Sequence, residues 1–199
     1  MIAIVDYGMG NLRSVQKAFE YVGRNTIITD KAQDLKDASQ IVLPGVGAFK
    51  DAISALDKSD LSGILKSEIA KGKPFLGICL GMQMLFDKSY EDGEYQGLGI
   101  IKGEVKRFEV DLKIPHIGWN ELIIKKRTPL FDGIEDRNFY FVHSYHASGC
   151  LAEDIETSCV YGYEFTASVN KDNVWGVQFH PEKSGDTGLK LLTNFTKIN

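Results

Sequence analysis

The chain has 199 residues, of which 43% are hydrophobic and 25% charged, and its formal net charge is -4. This length suits one ordinary domain with its own core, so we expect a single domain over residues 1–199. The 23 basic and 27 acidic side chains form no long run of either sign. A nucleic-acid partner is therefore not expected, because backbone binding requires a basic face. Every apolar stretch is shorter than the roughly 18 residues of a membrane span, so no membrane association is predicted.

Cysteine usage indicates a reducing compartment. The chain has three cysteines, Cys79, Cys150 and Cys159, and its N-terminal segment MIAIVDYG lacks the basic region and cleavage site of a signal peptide. An odd number of cysteines without an export signal predicts free thiols in a cytoplasmic protein rather than a disulfide framework.

The first half of the chain predicts strands that alternate with helices. A strand over residues 2–6 precedes a helix whose apolar positions recur at helical spacing after Asn11, a candidate N-cap. The apolar runs 41–43 and 75–78 lack polar alternation, which is typical of parallel strands covered on both faces. Further helical patterns cover residues 48–56 and 61–71. The alternation favours an α/β fold with a layered, mostly parallel sheet.

After Gly97 the pattern changes to shorter β-rich segments with polar turns. The segments predicted as strands are residues 104–108, 121–124, 139–143, 157–161, 165–169 and 174–179. We expect them to add antiparallel strands to the sheet. An amphipathic stretch over residues 187–195 predicts a closing helix.

Cys79 lies between two glycines in the segment GICLG, residues 77–81, directly after a predicted strand. This is the G-x-C-x-G spacing of a nucleophile elbow, and residues 82–86 are predicted to be helical. A thiol at such a turn lies at a helix N-terminus, where the N–H groups and the dipole favour thiolate. The N–H of Leu80 is then a candidate oxyanion donor. The alternative is a small cysteine buried in the core.

His180 is the candidate base for this thiol. It ends the strand predicted over residues 174–179, in the segment GVQFHPEKS, and Glu182 follows two residues later. Residues two apart in extended chain point to the same side, so Glu182 can reach the imidazole nitrogen that faces away from the thiol. Cys79, His180 and Glu182 are thus a candidate triad. The alternative is a solvated histidine and glutamate at a strand end.

A second glycine-rich loop, LPGVGAF over residues 43–49, follows another predicted parallel strand. The carboxyl ends of parallel strands meet at one edge of a sheet, so this loop is expected beside Cys79. Val46 or Gly47 can supply a second oxyanion N–H if the backbone turns to aim it there. A simple strand-to-helix turn is the alternative.

No metal site is predicted from the histidines. His143 and His146 are three apart on a predicted strand, so they are expected to face opposite sides, and no Cys, Asp or Glu cluster accompanies them. His116 is expected to be structural or to lie at an interface.

Nucleotide cofactors are not predicted either. Gly8-Met9-Gly10 begins like a dinucleotide fingerprint, but Arg13 stands where the third glycine should fall. We interpret these glycines as a tight turn that presents Asn11.

Six motifs occur in order over nearly the whole chain: DYGMGN, LPGVGAF, GICLGMQ, PHIGWN, YFVHSY and GVQFHPEKS. Together they resemble the class I (triad) glutamine amidotransferases. DYGMGN, PGVGAF and GWN are similar in particular to the glutaminase subunits of imidazole glycerol phosphate synthases. The resemblance implies a flavodoxin-like fold with a mostly parallel sheet, flanking helices and β-rich additions in the C-terminal half. It also implies hydrolysis of glutamine to glutamate and ammonia, without a cofactor.

The resemblance further implies residue roles. Cys79 attacks the side-chain amide carbon, His180 protonates the departing ammonia and then activates water, and Glu182 orients His180. The implied glutamine contacts are Gly47, Gln83, Ser144 and Tyr145. Gln83 is alternatively an ordinary helix residue.

The partner implied by the resemblance is a barrel-shaped cyclase subunit that forms a heterodimer with the glutaminase, receives the ammonia and closes an imidazole ring in histidine biosynthesis. The implied interface residues are Asn11, Trp119, Asn120 and Lys183. Trp119 is alternatively a core residue.

Three other functions stay open from the sequence. A paralogous subunit could feed ammonia to a sugar-modifying synthase, because the segment over residues 101–120 is long and acidic before the PHIGWN motif. A stand-alone thiol esterase or peptidase could use the same elbow without a partner. A non-catalytic binding subunit is the third, and the complete triad argues against it.

Overall fold

The computed structural model describes residues 1–198, and Asn199, the last residue of the predicted domain, lies outside the described residues. The α-helices of this part are α1 Leu12–Tyr21, α2 Ala32–Asp37, α3 Phe49–Lys58, α4 Leu61–Ala70, α5 Leu80–Gln83 and α6 Gly185–Phe195. Two 3₁₀ turns cover Pro129–Phe131 and Pro181–Lys183. Within residues 1–198, no helix has the length and apolar character needed to cross a membrane.

The strands belong to one large sheet and one two-stranded ribbon. They are β1 Ile2–Val5, β2 Thr26–Thr29, β3 Gln40–Gly45, β4 Phe75–Cys79, β5 Lys88–Ser89, β6 Tyr95–Gln96, β7 Glu104–Arg107, β8 His116–Glu121, β9 Ile123–Ile124, β10 Asn138–His143, β11 Tyr145–Ser148, β12 Ile155–Tyr161, β13 Tyr163–Lys171 and β14 Val174–Val177. The main path of the large sheet runs β2-β1-β3-β4-β14-β13-β11-β7-β5-β6. β12 pairs with β13 beside this path, β9 pairs with β12, and β8 and β10 form the ribbon.

The sheet has a parallel half and an antiparallel half. β2, β1, β3, β4 and β14 are parallel neighbours. β14 then pairs antiparallel with β13, β13 with β11, and β11 with β7. The predicted α/β fold, with a parallel sheet extended by strands from the C-terminal half, is confirmed.

The core has two layers because the parallel strands are buried on both faces. In β1, Ile2 and Ile4 pack in one apolar cluster with α1 and α6, whereas Ala3 and Val5 pack in a second cluster with α3 and α4. This period-2 division explains why the parallel strands are almost continuously apolar in sequence.

Several regions differ from the predicted elements. The short strands β5, β6 and β11 were not predicted, and residues 139–143, expected to join the main sheet, form β10 in the separate ribbon. β2 and α2 were not predicted, since β2 is a short, half-exposed edge strand and α2 has only six residues. A strand was predicted over residues 121–124, but the main strand there is β8, which ends at Glu121, and only Ile123–Ile124 continues as β9. In β8 the buried residue His116 is polar, whereas the apolar residues Ile117 and Trp119 are exposed. This pattern does not resemble the usual alternation of a half-buried strand.

Candidate active site

The carboxyl ends of four parallel strands meet at one edge of the sheet, as predicted. The loops that follow β1 and β3 carry Asn11 and Val46, β4 ends at Cys79, and the chain beyond β14 carries His180. A cavity of about 420 Å³ opens at this edge. Of the residues predicted for catalysis, the oxyanion and the substrate, it is lined by Val46, Gly47, Cys79, Leu80, Gln83, Ser144, Tyr145 and His180. Only Glu182 lies behind the wall.

Cys79 has the strained backbone of a nucleophile elbow. Its φ and ψ angles are 55° and -109°, in a region that non-glycine residues rarely adopt, and α5 begins at the next residue. A Cβ on Gly77 would lie 2.7 Å from the carbonyl oxygen of Gly81, and one on Gly81 would lie 1.8 Å from the carbonyl oxygen of Leu43. Both glycines are therefore required for the close approach of α5 to β4 and β3.

The helix after the elbow is shorter than predicted. Helix was expected over residues 82–86, but α5 ends at Gln83. The reason lies in the loop 97–101, whose backbone N–H groups bind the last carbonyls: Leu98 donates to Met84, Gly99 to Phe86, and Ile100 and Ile101 to Leu85. These bonds replace the helical ones and stop the helix at the cavity wall.

His180 and Glu182 are in contact, with 2.7 Å between imidazole Nδ1 and carboxylate Oε1. Both side chains are almost fully buried. The contact forms by a different route than predicted, because Pro181–Lys183 is a 3₁₀ turn rather than extended chain. The segment is fixed by the N–H of His180, which donates to the Tyr140 carbonyl, and by Ser184 Oγ, which donates to the His180 carbonyl.

The environment of His180 favours the imidazolium. Burial opposes the charge, but the hydrogen bonds with Cys79 and Glu182, and the negative charge of both groups, raise the pKa of His180 to about 10. The imidazole therefore holds a proton at neutral pH. It is placed to stabilise a thiolate and to release that proton to a leaving group.

A buried tyrosine supports the glycine-rich loop that faces Cys79. Tyr7 is 6% exposed, and its hydroxyl donates to the Pro44 carbonyl at 2.9 Å. Burial raises the pKa of Tyr7, and the charge of Cys79 raises it further. Tyr7 thus stays neutral and acts as a donor that ties β1 to the start of the Val46–Gly47 loop. Sequence reasoning missed this residue, although it belongs to the motif DYGMGN.

The oxyanion residues lie on two walls of the cavity. Leu80 opens α5, so its N–H is among the first helical donors, which have no partner within the helix. Val46 is 41% exposed, and Gly47 has a φ of 97°. Their assignment as oxyanion donors stays a prediction.

Gln83 connects the elbow helix with the opposite wall. Its Nε2 donates to the Tyr145 carbonyl and to Gln178 Oε1, both at 3.0 Å. The side chain is 5% exposed and faces the cavity, and its amide oxygen Oε1 takes part in neither of these two bonds. An ordinary solvent-facing helix residue does not fit this position.

Glu91 is a cavity residue that the sequence analysis did not identify. It follows β5 in an acidic loop, and its Oε2 accepts a hydrogen bond from the backbone N–H of Phe49 at 2.8 Å. Burial raises the pKa of Glu91, while the Phe49 N–H opposes the shift. A lone glutamate among several acidic residues carries no sequence signal that separates it from a solvated loop.

The expectation that His143 and His146 face opposite sides is wrong. Both imidazoles pack on Phe108, with ring centroids 5.2 and 4.5 Å away. The alternation is interrupted because β10 ends at His143 and β11 begins at Tyr145, in a different sheet.

His116 and His143 form a buried pair, and His143 also lines the cavity. His116 is 3% exposed, and its Nδ1 lies 3.0 Å from His143 Nε2. Burial lowers the pKa of His116 to about 4 and that of His143 to about 3, so both are neutral. Among residues 1–198, no group of three or more His, Cys, Asp or Glu side chains is arranged to hold a metal ion.

The predicted interface residues lie near the mouth of the cavity or on exposed surface. Trp119 is 58% exposed, so the alternative of a core residue is wrong. Its ring lies 6.2 Å from that of Tyr140, and Lys183 Nζ lies 5.9 Å from the same ring. Asn11 is exposed, whereas Asn120 donates to the Val160 carbonyl. Their role at an interface stays a prediction.

A cysteine elbow and a buried His–Glu pair lie together at the carboxyl edge of the parallel strands, the arrangement expected of an amidotransferase of the triad class. The chain belongs to the class-I glutamine amidotransferase family, whose model matches residues 3–198.

Relatives with more specific names match the chain over nearly their whole length. The chain is 55% identical over 200 residues to imidazole glycerol phosphate synthase subunit HisH of Caldanaerobacter subterraneus subsp. tengcongensis, covering 100% of this chain and 98% of that one. It is 51% identical to subunit HisH of Sulfurimonas denitrificans over 203 residues, covering 99% and 98%. A crystal structure of a glutamine amidotransferase superposes with a TM-score of 0.76 at 16% identity, covering 95% of each chain, and supports the fold alone.

Proposed function

We propose that the chain is the glutaminase subunit of an imidazole glycerol phosphate synthase, acting as one domain in the cytoplasm. It hydrolyses glutamine to glutamate and ammonia and passes the ammonia to a barrel-shaped cyclase partner in a heterodimer, for histidine biosynthesis. The observation that carries the chemistry is that His180, which contacts Glu182 at 2.7 Å, lines the cavity together with Cys79. Full-length similarity of 51–55% to subunits of that synthase supports the acceptor.

The reaction follows from the geometry of the cavity. The Cys79 thiolate attacks the side-chain amide carbon of glutamine, a C–S bond forms, and negative charge develops on the amide oxygen. Leu80 and the Val46–Gly47 loop are the proposed donors to that oxygen. His180 gives its proton to the departing nitrogen, the C–N bond breaks and ammonia leaves. His180 then takes a proton from water, which cleaves the thioester and releases glutamate.

The α-ammonium group of the substrate glutamine binds at a part of the cavity away from Cys79. Glu91 is the carboxylate of the cavity lining and suits the α-ammonium group, while Ser144, Tyr145 and Gln83 offer further polar atoms. The substrate side chain then points from this anchor towards Cys79. Anchoring remote from the reacting bond restricts the orientation of the amide.

Replacing Glu91 by glutamine should raise the KM for glutamine about tenfold with little change in kcat, because a charge-assisted contact made equally in ground and transition state is lost. Glutamine keeps an oxygen for the Phe49 N–H, so the start of α3 is preserved. Steady-state glutamate release measures the effect. The matched control is Glu94→Gln in the same loop, whose carboxylate pairs with Lys88 at 3.2 Å. A Glu91→Gln enzyme with the KM of the parent would contradict the anchor.

The experiment that tests the function is glutamate release by the purified chain, alone and with the cyclase subunit plus its ribonucleotide ligand. We expect liganded cyclase to increase the rate by at least about tenfold. Equal rates with and without the liganded partner would reject this acceptor and favour a paralogous synthase. Glutamine left intact under all conditions, with hydrolysis of simple thioesters or peptides instead, would favour the esterase or peptidase alternative.

A further inference from the structure

A buried amide outside the triad also contacts the nucleophile. Gln178 is 0% exposed, and its Nε2 lies 3.7 Å from Cys79 Sγ, within the range of an N–H···S hydrogen bond. Such a long bond to sulfur is weak when the sulfur is a neutral thiol and stronger when it carries a charge. The proposed reaction uses Cys79, His180 and the oxyanion donors, and it does not involve Gln178.

The hydrogen-bond network decides which end of the Gln178 amide faces the sulfur. The Tyr145 carbonyl can only accept, so the group of Gln83 that lies 3.0 Å from it must be the NH₂ end. The same NH₂ group lies 3.0 Å from the Gln178 side chain, which must present its oxygen there. The NH₂ group of Gln178 is therefore left to face Cys79. The Tyr145 carbonyl thus fixes the orientation of the Gln83 amide, and through it the orientation of the Gln178 amide that faces the thiol.

Gln178 and His180 both lie in the short segment that follows β14. The N–H of Gln178 donates to the Ala167 carbonyl, which continues the pairing of β14 with β13 by one residue. The chain then bends at Gln178 and Phe179 and is extended again at His180. The Gln178 amide contacts the Cys79 sulfur and His180 lines the same cavity as Cys79, while the intervening Phe179 packs in the core.

We propose that Gln178 is a further catalytic residue, which donates a hydrogen bond to the Cys79 sulfur and stabilises the thiolate together with His180. This rests on the proposed function for its place in the reaction. When the sulfur attacks the amide carbon, its charge passes to the amide oxygen as the C–S bond forms, and the bond from Gln178 weakens. When the thioester is cleaved, the electron pair of the C–S bond returns to sulfur, and Gln178 again stabilises the leaving thiolate. No proton of Gln178 is transferred.

The test measures the ionisation of Cys79 directly. Alkylation by iodoacetamide follows the thiolate, so its rate against pH gives the midpoint of ionisation. Peptide mass spectrometry separates Cys79 from Cys150 and Cys159. The variants are Gln178→Met, which removes the donor at similar length, and Gln178→Glu, which keeps the oxygen that accepts from Gln83 but puts a carboxylate oxygen against the sulfur.

The matched control is Gln40→Met. Gln40 is also buried, 5% exposed, and it donates to the carbonyls of Phe195 and Ile198 at the other edge of the sheet. This variant loses two buried hydrogen bonds without touching the site. Loss of stability alone should therefore show in Gln40→Met as well, whereas a shift of the Cys79 midpoint should not.

We expect Gln178→Met to raise the midpoint by about one pH unit, a tenfold change in the ionisation constant, and Gln178→Glu to raise it at least as much. Should Gln178→Met fail to fold, Gln178→Glu, which has the same shape, carries the test. Midpoints equal to that of the parent in the folded variants would overturn the proposal. Alkylation is independent of glutamine turnover. A parent chain that releases no glutamate either alone or with the liganded partner would reject the proposed function, while the midpoints would still decide the role of Gln178.

Discussion

Replacing Cys79 by alanine should lower glutamate release by at least about 10⁴-fold, in the chain alone and in its complex with the cyclase partner. The sulfur forms the covalent bond to the substrate, and Cys79 is the only cysteine of the described cavity lining. The KM for glutamine should change little, because the anchor at Glu91 and the loop at Ser144–Tyr145 is separate from the sulfur. Glutamate release with and without liganded partner gives both quantities.

The matched control for this loss is Cys150→Ala. Cys150 is half-buried and lies outside the cavity lining. Burial raises the pKa of the Cys150 thiol to about 11, so it is not a reactive thiolate at neutral pH. We expect the control to keep the parental rate. A Cys79→Ala enzyme that still turns over glutamine at more than a few per cent of that rate would exclude the covalent route.

The elements that were predicted correctly have a signal within a short window of sequence. The parallel strands β1, β3 and β4 are uninterrupted apolar runs because both of their faces are buried. The elbow also has a local sequence signal, because Gly77, Cys79 and Gly81 lie within five consecutive residues, although the atom that a Cβ on Gly81 would meet belongs to Leu43. His180 and Glu182 are two residues apart, so their contact could be predicted even though the chain between them is a turn.

The parts that could not be predicted depend on which distant segments meet. Glu91 enters the cavity because its loop packs against the start of α3, 42 residues earlier. Gln178 reaches Gln83 across 95 residues. His143 and His146 converge because the chain changes sheets at Ser144. In each case the residue type is ordinary, and its surroundings depend on which distant segments pack together.

Replacing Gly81 by alanine should destabilise the fold by about 3 kcal/mol or more, a fall in Tm of roughly 6–12 °C. The added Cβ would lie 1.8 Å from the backbone carbonyl oxygen of Leu43 and 2.8 Å from its carbon. Neither atom can yield as the end of a flexible side chain could, so α5 must move away from β3. Thermal unfolding of the purified variant measures the loss. Any folded fraction should also lose activity, because the same movement displaces Cys79 and the N–H of Leu80.

Gly63→Ala is the control that separates this steric cause from the general properties of glycine. Gly63 lies in α4, is exposed, and a Cβ there would meet nothing within 4 Å. Alanine restricts the unfolded chain and favours helix, so this variant should be stabilised by about 0.5–1 kcal/mol. If Gly81→Ala lowers the stability and Gly63→Ala raises it, the close approach of α5 to β3, and not the backbone freedom of glycine, is what requires glycine at position 81. Equal stability of the two variants would mean that α5 and β3 can separate at little cost, and Cys79 would then lack the rigid support that its strained backbone requires.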